Sequence, residues 1–323
     1  MRNIYTTVFL SLTFNLAIGQ TKPNESGITM KSALPMLANI NHYTAPASNR
    51  AGGGAIWSED FNGAINTIDS VFGSGGTWGK SGLNGQVWKK STTAPSGCFA
   101  SGALPLTTTA NNGFLIFDAD SANCIDANAN PPLFNQDVFL GTITSPMIDL
   151  SSSPDVIISF EYQSRWCCSG GLETVVEFSG DGGATWPLSI DIVHNIVNEQ
   201  QNENFEANVS SVLGGAAQAM FRISWDVVSH YYMVVDDIMI TPAAESDLKM
   251  LTAYVSHNGT GEEYGRIAQN QTGQNMLIGA QVENFGATDQ DDVVLNADFS
   301  GPTAFAGFAD LSLLAVGDSI FLE

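Results

Sequence analysis

The chain has 323 residues, with 11 Lys and Arg against 33 Asp and Glu, which gives a formal net charge of −22. So acidic a chain is unsuited to nucleic acid or anionic membranes, because phosphate groups are bound mainly by Lys and Arg. The surplus of carboxylates suits a soluble exterior or the binding of hard cations such as calcium. The 32 glycines and the 14% share of charged residues favour an all-β protein with many turns.

The N-terminus predicts export. Arg2 precedes an apolar stretch over residues 8–18, and a cut before Gln20 has small residues at positions −3 and −1, so residues 1–19 are interpreted as a signal peptide. A retained signal anchor is the alternative. Residues 20–54 are predicted to be a flexible leader. No later apolar run reaches the about 18 residues of a membrane-spanning helix, so we expect a secreted protein or one at the outer cell surface.

Residues 55–243 alternate strand patterns with turns rich in Gly and Asn. Apolar residues recur at every second position in three stretches, DVIISFEYQ (155–163), GLETVVEFS (171–179) and QAMFRISWDV (218–227). This period is typical of half-buried antiparallel strands. Such strands need a second sheet over their apolar face, so we expect a β-sandwich of jelly-roll type.

A second unit is predicted over residues 246–323, beginning at SDLKMLTAYV, with two alternating runs on either side of Asn284-Phe285-Gly286. At about 78 residues it is short for an immunoglobulin-like sandwich, which usually has about 100. We therefore expect an incomplete immunoglobulin-like domain and a chain that is a piece of a longer protein.

Five landmarks in the first unit follow one another in a particular order. They are Glu59-Asp60-Phe61, NNGFLIFDADSAN (111–123), TSPMIDLSS (144–152), EFSGDGGATW (177–186) and YYMVVDDIMIT (231–241). Together they resemble the MAM-like jelly-roll domains of secreted Bacteroidetes proteins, including the cleaved-adhesin modules beside gingipain-type proteases. The chain departs from that pattern in its cysteines and in the long segment 120–137.

The resemblance implies a non-catalytic adhesion module that binds an extracellular protein or glycan, often within a protein exported by type IX secretion. The alternative is an accessory domain of a secreted protease or glycan hydrolase whose catalytic part lies outside this chain. No H-E-x-x-H, G-x-S-x-G or phosphate-loop motif is present, and His42, His194, His230 and His257 stand in unrelated contexts. We therefore expect no enzyme activity.

A calcium site is predicted from carboxylates that the fold could bring together. Asp236 and Asp237 stand in an otherwise apolar strand, and a buried carboxylate needs a cation or several hydrogen-bond donors. The first and last strands of a jelly roll can be neighbours, so the predicted ligand set is Glu59, Asp60, Asp118, Asp120 and Asp237. The resemblance also implies a structural calcium in this region. The alternative is that these side chains cap turns and accept backbone N–H groups.

The four cysteines, Cys98, Cys124, Cys167 and Cys168, favour disulfides in an oxidising compartment. Four cysteines allow three pairings. A bond between the adjacent Cys167 and Cys168 would be strained, so a bond from one of them to Cys98 or Cys124 is at least as favourable.

The stretch SGDGGATW (179–186) resembles the Asp-box turn of sialidase propellers, but it occurs once, and the chain has only five arginines. It is interpreted as a structural turn in which Asp181 accepts backbone N–H groups, Gly182 and Gly183 adopt positive φ, and Trp186 returns to the core. Other aromatic side chains could stack on sugars if exposed, but for tryptophan in a sandwich a core position is more common. They are Trp78, Trp88, Trp166, Tyr231 and Tyr232.

Overall fold

The structure is a computed structural model that describes residues 12–17, 54–62, 77–83, 88–100, 102–166, 174–192, 198–228, 231–256, 277–299 and 305–323. It divides into two compact units, one of residues 47–243 and one of residues 244–323 together with 1–46. Regular structure in the described ranges is almost entirely β, which confirms the all-β fold class. None of the helices in these ranges is long and apolar enough to cross a membrane.

The described elements are numbered in chain order. They are β1 (Leu12–Ala17), β2 (Trp57–Glu59), β3 (Gly79–Leu83), β4 (Trp88–Ser91), β5 (Phe114–Asp118), α1 (Ala119–Asn123), β6 (Cys124–Asp126), β7 (Leu133–Phe134), β8 (Phe139–Thr144), β9 (Val156–Arg165), β10 (Thr174–Ser179), β11 (Leu188–Asp191), β12 (Gln201–Asn208), α2 (Ser210–Leu213), β13 (Met220–Val228), β14 (Tyr232–Pro242), β15 (Leu248–Ser256), β16 (Leu277–Asn284), β17 (Gln290–Phe299), β18 (Phe305–Leu314) and β19 (Ser319–Leu322).

The first unit is a sandwich of two antiparallel sheets. One sheet has the order β11-β10-β13-β8-β3, and the other has the order β12-β9-β14-β5-β4 with β2 also paired to β14. From β8 to β14 the chain passes repeatedly from one sheet to the other, as in a jelly roll. A single apolar core fills the space between the two sheets, with side chains from both.

Alternation along the strands decides which side chains enter this core. The expected inward residues of β9, Val156, Ile158, Phe160 and Tyr162, are all buried in it. The same holds for Val176 and Phe178 on β10 and for Phe221, Ile223 and Trp225 on β13. The predicted faces of these three strands are therefore confirmed, because a period of two places alternate residues on one side of a sheet.

Strand β14 departs from simple alternation. Its register with β9 shifts between Asp236 and Met239, and Asp237 has a φ of 52°. Such an irregularity adds a residue on one strand, so the side chains beyond it change face. Val235 and Ile238 both point into the main core, whereas Val234 lies in a separate apolar cluster on the outer face. Strict alternation would place Val234 and Ile238 on one face, but the irregularity puts them on opposite faces.

The second unit contains two three-stranded antiparallel sheets, with the orders β15-β16-β19 and β1-β17-β18. Val282 and Leu322 of the first sheet pack in one apolar cluster with Val293, Leu295 and Leu314 of the second. The two sheets thus form a small sandwich. Its assignment to the immunoglobulin-like class stays a prediction.

Candidate functional site

The predicted pair Asp236 and Asp237 is held by a run of three threonines. Asp236 is fully buried, and its Oδ2 accepts a 2.6 Å hydrogen bond from the hydroxyl of Thr107. Asp237 accepts from both the hydroxyl and the backbone N–H of Thr109, at 2.8 and 3.0 Å. The Oδ1 of Asp236 also accepts from the backbone N–H of Asp237 at 2.9 Å, so the expectation that a buried carboxylate needs a cation or several donors is met at Asp236 by protein donors.

Glu161 completes this arrangement, and sequence reasoning missed it. It lies opposite Asp236 in the β9–β14 ladder and accepts from the N–H and the hydroxyl of Thr108, both at 2.6 Å. The consecutive residues Thr107, Thr108 and Thr109 therefore bind three carboxylates on the outer face of the six-stranded sheet. The run of threonines in the sequence was the available signal, but nothing local indicates which acids they contact.

Negative charge is concentrated at this face. Burial raises the pKa of Asp236 to about 7, and the charges of Asp237 and Glu161 add to the effect while the Thr107 hydrogen bond opposes it. Burial also raises the pKa of Asp237, and Glu161 and Asp60 raise it further by charge repulsion. A cation beside Asp237 would relieve this repulsion.

Strand β2, the first strand of the first unit, and the residues after it bring a second group of oxygen atoms close to Asp237. β2 pairs with β14 with Glu59 opposite Ile238, which confirms that the first and last strands are neighbours. The Oδ2 of Asp60 accepts from the side-chain amides of Asn62 and Asn112, at 2.8 and 3.3 Å. The Oδ1 of Asn112 is buried and has no hydrogen-bond partner. Buried polar atoms are usually satisfied, so this oxygen marks a place for a donor or an ion.

Asp118 and Asp120 do not join this group. Asp118 lies opposite Tyr232 at the start of β14, five residues before Asp237, which corresponds to about 17 Å along a strand. Its carboxylate caps helix α1 by accepting from Ser121 N at 3.1 Å, and burial raises its pKa. Asp120 accepts from the N–H groups of Cys98 and Phe99 at 3.2 and 2.7 Å.

The five predicted ligands therefore do not form one site. Among the described residues, no group of three or more His, Cys, Asp or Glu side chains is placed to hold a metal by itself. Asp118 and Asp120 follow the alternative interpretation, in which they cap turns and bind backbone amides. Glu59 accepts from Phe61 N at 2.8 Å. The oxygens that suit a cation are those of Asp60 and Asp237, whose charges repel, and the unpartnered Oδ1 of Asn112, whose amide contacts Asp60.

A disulfide joins Cys98 to Cys124. This bond excludes the hypothesis that Cys98 or Cys124 pairs with Cys167 or Cys168. Cys167 and Cys168 lie outside the described residues. The four histidines of the sequence also lie outside them. The bond connects the loop before β5 to the β6–β7 hairpin. The ring of Phe99 also packs edge-on against Phe134 of this hairpin, with centroids 4.9 Å apart.

The Asp-box stretch forms the turn of the β10–β11 hairpin. Asp181 accepts from the N–H and hydroxyl of Thr185, at 2.9 and 2.7 Å, and Gly182 and Gly183 have φ of 74° and 86°. Trp186, however, does not return to the core. Its ring lies 4.3 Å from the guanidinium of Arg222, which makes a bidentate ion pair with Glu177 on the outer face of the sheet.

Most aromatic side chains considered for sugar stacking are in the interior. Trp78, Trp88 and Tyr232 are at most 2% exposed, and Tyr231 is 8% exposed. Tyr231 is also covered by the guanidinium of Arg165, 4.1 Å from its ring centroid. Trp166 is partly buried against the core. The core interpretation is therefore correct for Trp78 and Trp88, whereas Tyr231 and Tyr232 are buried in the separate apolar cluster on the outer face.

No protein-family model matches the chain, and a search of curated proteins finds no match. Similar solved structures include the K1 and K3 cleaved adhesin domains of Lys-gingipain from Porphyromonas gingivalis W83, each 13% identical. They cover 58% of this chain and 97% and 99% of the domains, with TM-scores of 0.33 and 0.34. A carbohydrate-binding module in complex with β-1,4-galactotriose is 13% identical, with 51% of this chain and 88% of the module covered and a TM-score of 0.31. Likenesses at this level establish neither family nor function.

Proposed function

We propose that this chain is a non-catalytic binding module of a secreted or cell-surface protein, and that it recognises a protein partner through loops around the Cys98–Cys124 disulfide. The observation that carries the proposal is a set of exposed apolar side chains on these loops. They are Leu104, Leu106, Ile125, Leu133 and Val138, between 42% and 71% exposed. Ile125 and Leu133 are neighbours on the β6–β7 hairpin, and contiguous exposed apolar side chains are typical of interaction surfaces.

The loops that carry these side chains are held in place. The disulfide fixes the base of the β6–β7 hairpin, and Asn123 makes a pair of hydrogen bonds with the backbone of Asp137. Loops fixed on a rigid sandwich are a common site of recognition, because little conformational entropy is lost when they bind. Aliphatic rather than aromatic exposed side chains favour a protein partner over a glycan.

Binding of the chain to arrays of extracellular matrix proteins and of glycans tests this proposal. The double variant Ile125→Ser/Leu133→Ser is expected to lose most of the binding to any matrix protein that the wild type retains. Leu83→Ser is the matched control, because Leu83 is 61% exposed, close to the 64% of Ile125, but lies on β3. An equal loss in the control, or binding only to glycans, contradicts the proposed site.

The proposal includes a structural calcium ion held by Asp60, Asp237 and the amide oxygen of Asn112. Three features support it: the unpartnered Oδ1 of Asn112, the proximity of Asp60 to Asp237, and the raised pKa of Asp237. Calcium prefers carboxylate and amide oxygens and takes six to eight ligands, so backbone carbonyls or water would complete the shell. The bound ion would neutralise the carboxylates where the first and last strands meet.

A further inference from the structure

The loops around the Cys98–Cys124 disulfide belong to a part of the chain with charges of one sign. From residue 91 to residue 164 the sequence contains Asp and Glu but no Lys, Arg or His. Two of these acids, Asp126 and Asp137, are exposed on the loops, among the exposed apolar side chains. The surface proposed for partner binding therefore combines apolar side chains with carboxylates.

The β6–β7 hairpin fixes where these two carboxylates stand. Asp126 lies opposite Leu133 in the ladder, and directly opposite residues share a face. Asp137 is held beside Asn123: its N–H donates to the Oδ1 of Asn123 at 3.2 Å, and its carbonyl accepts from the Nδ2 at 2.9 Å. Asn123 precedes Asp126 by three residues, which span at most about 10 Å. The two carboxylates therefore lie near the two ends of the paired segments that carry Ile125 and Leu133.

Two cations contact groups at the base of these loops. The Nζ of Lys89 lies 3.8 Å from the Oδ2 of Asp118, a buried carboxylate. Arg165 donates to the backbone carbonyls of Phe99 and Asn198, at 3.1 and 3.0 Å. Both cations are thus matched by groups beneath the loops, so the exposed rim formed by the described residues keeps its negative charge.

A partner that covers Leu133 must also remove water from Asp126, because the two side chains share a face of the hairpin. Removing water from a carboxylate is strongly unfavourable unless a cation or hydrogen-bond donors replace it. The Oδ1 of Asp126 accepts from Asn128 N at 2.9 Å, one bond for a group that accepts up to about four. The partner therefore has to supply further donors or a positive charge.

We propose that the protein partner presents an apolar cluster flanked by Lys or Arg side chains, and that Asp126 and Asp137 bind these cations. This inference rests on the protein-binding surface proposed for the same loops. Ion pairs at the rim of an apolar contact speed association and add specificity, and they weaken as the salt concentration rises. An acidic partner of the same shape is disfavoured, because it would place like charges opposite the two carboxylates.

Fluorescence anisotropy with three labelled amphipathic helical peptides tests the charge of the partner. The peptides share one face of Leu residues and carry Lys, Gln or Glu on the other face. At about 0.15 M salt, where the Debye length is about 8 Å, we expect the Lys peptide to bind tightest and the Glu peptide weakest. Asp126→Asn/Asp137→Asn should weaken binding of the Lys peptide on the order of two- to fivefold for each charge removed. Asp126→Lys/Asp137→Lys should reverse the order, a gain for the Glu peptide that misfolding cannot produce.

A matched control separates this site from the general acidity of the chain. Asp191→Asn/Asp310→Asn removes the same charge from exposed positions on β11 and β18, and should leave the three affinities unchanged. An equal effect of this control overturns the proposal. A preference for the Lys peptide that survives the removal of Asp126 and Asp137 also overturns it, as does an absence of Lys-peptide binding in the wild type.

The variant Ile125→Ser/Leu133→Ser distinguishes failure of this inference from failure of the surface itself. Loss of peptide binding in this variant, with no effect of the charge changes, leaves the apolar surface standing and overturns only the predicted basic rim of the partner. Unchanged binding of the Lys peptide in this variant contradicts the surface, and the partner chemistry inferred for it fails as well.

Discussion

The hydroxyl of Thr107 donates a 2.6 Å hydrogen bond to the Oδ2 of Asp236, a residue 129 positions further along the chain. Both side chains are buried. Removing the donor leaves a buried carboxylate oxygen short of a partner, so Thr107→Val should lower the free energy of unfolding by about 1–3 kcal/mol. Thr107→Ser keeps the hydroxyl and is the control in urea denaturation. Equal losses in the two variants would mean that the hydrogen bond contributes little.

Calcium should raise the melting temperature relative to EDTA. An ion that binds only the folded state at a concentration 100 times its Kd stabilises that state by about 2.7 kcal/mol. Asp60→Asn and Asp237→Asn should each reduce this calcium-dependent rise. Asp118→Asn should leave it unchanged, because Asp118 lies about 17 Å along the strand from Asp237. No rise in the wild type excludes the ion.

The disulfide can be tested by peptide mapping without reduction. A linked peptide pair should contain Cys98 and Cys124, and a link from either residue to Cys167 or Cys168 would contradict the structure. The bond closes a loop with a sequence separation of 26 residues. Replacing both cysteines with Ser should therefore cost about 3.5 kcal/mol, because the unfolded chain regains the entropy that the closed loop removes.

Asp181 should titrate at unusually low pH. The Thr185 hydroxyl, the Thr185 N–H and the Ser179 hydroxyl lower the pKa of this exposed carboxyl to about 2, from an ordinary value of 3.8. Because the folded-state pKa is depressed, the stabilisation is fully present above about pH 4 and is lost as the pH falls through about 2. NMR titration of the side-chain carbon measures the value directly.

A pair of variants identifies the cause of that shift. Thr185→Val removes the hydroxyl and should move the pKa of Asp181 back towards 3.8, whereas Thr185→Ser should keep it low. An unchanged pKa in the valine variant would show that the backbone N–H groups of the turn are sufficient.

The predicted calcium ligands could be placed on strands from the sequence, but not positioned relative to one another. The expectation that the first and last strands of the jelly roll are neighbours is confirmed, since Glu59 of β2 lies opposite Ile238 of β14. Asp118 ends one apolar strand and Asp237 interrupts another. The local sequence does not show that these strands align so that the two residues lie about 17 Å apart. It also offered no way to connect Thr108 with Glu161, two residues that meet only when the loop before β5 crosses the six-stranded sheet.

The sequence by itself determined the all-β class, the inward faces of β9, β10 and β13, and the hairpin turn at Asp181. Those features depend on alternation and on turn residues that act within a few positions of one another. Only the tertiary structure decided the shift of face at Asp237, the position of Trp186 over Arg222, and the pairing of Cys98 with Cys124. Each of these depends on the alignment of strands or loops distant in the sequence, and a shift of one residue there reverses which side of the sheet a side chain occupies.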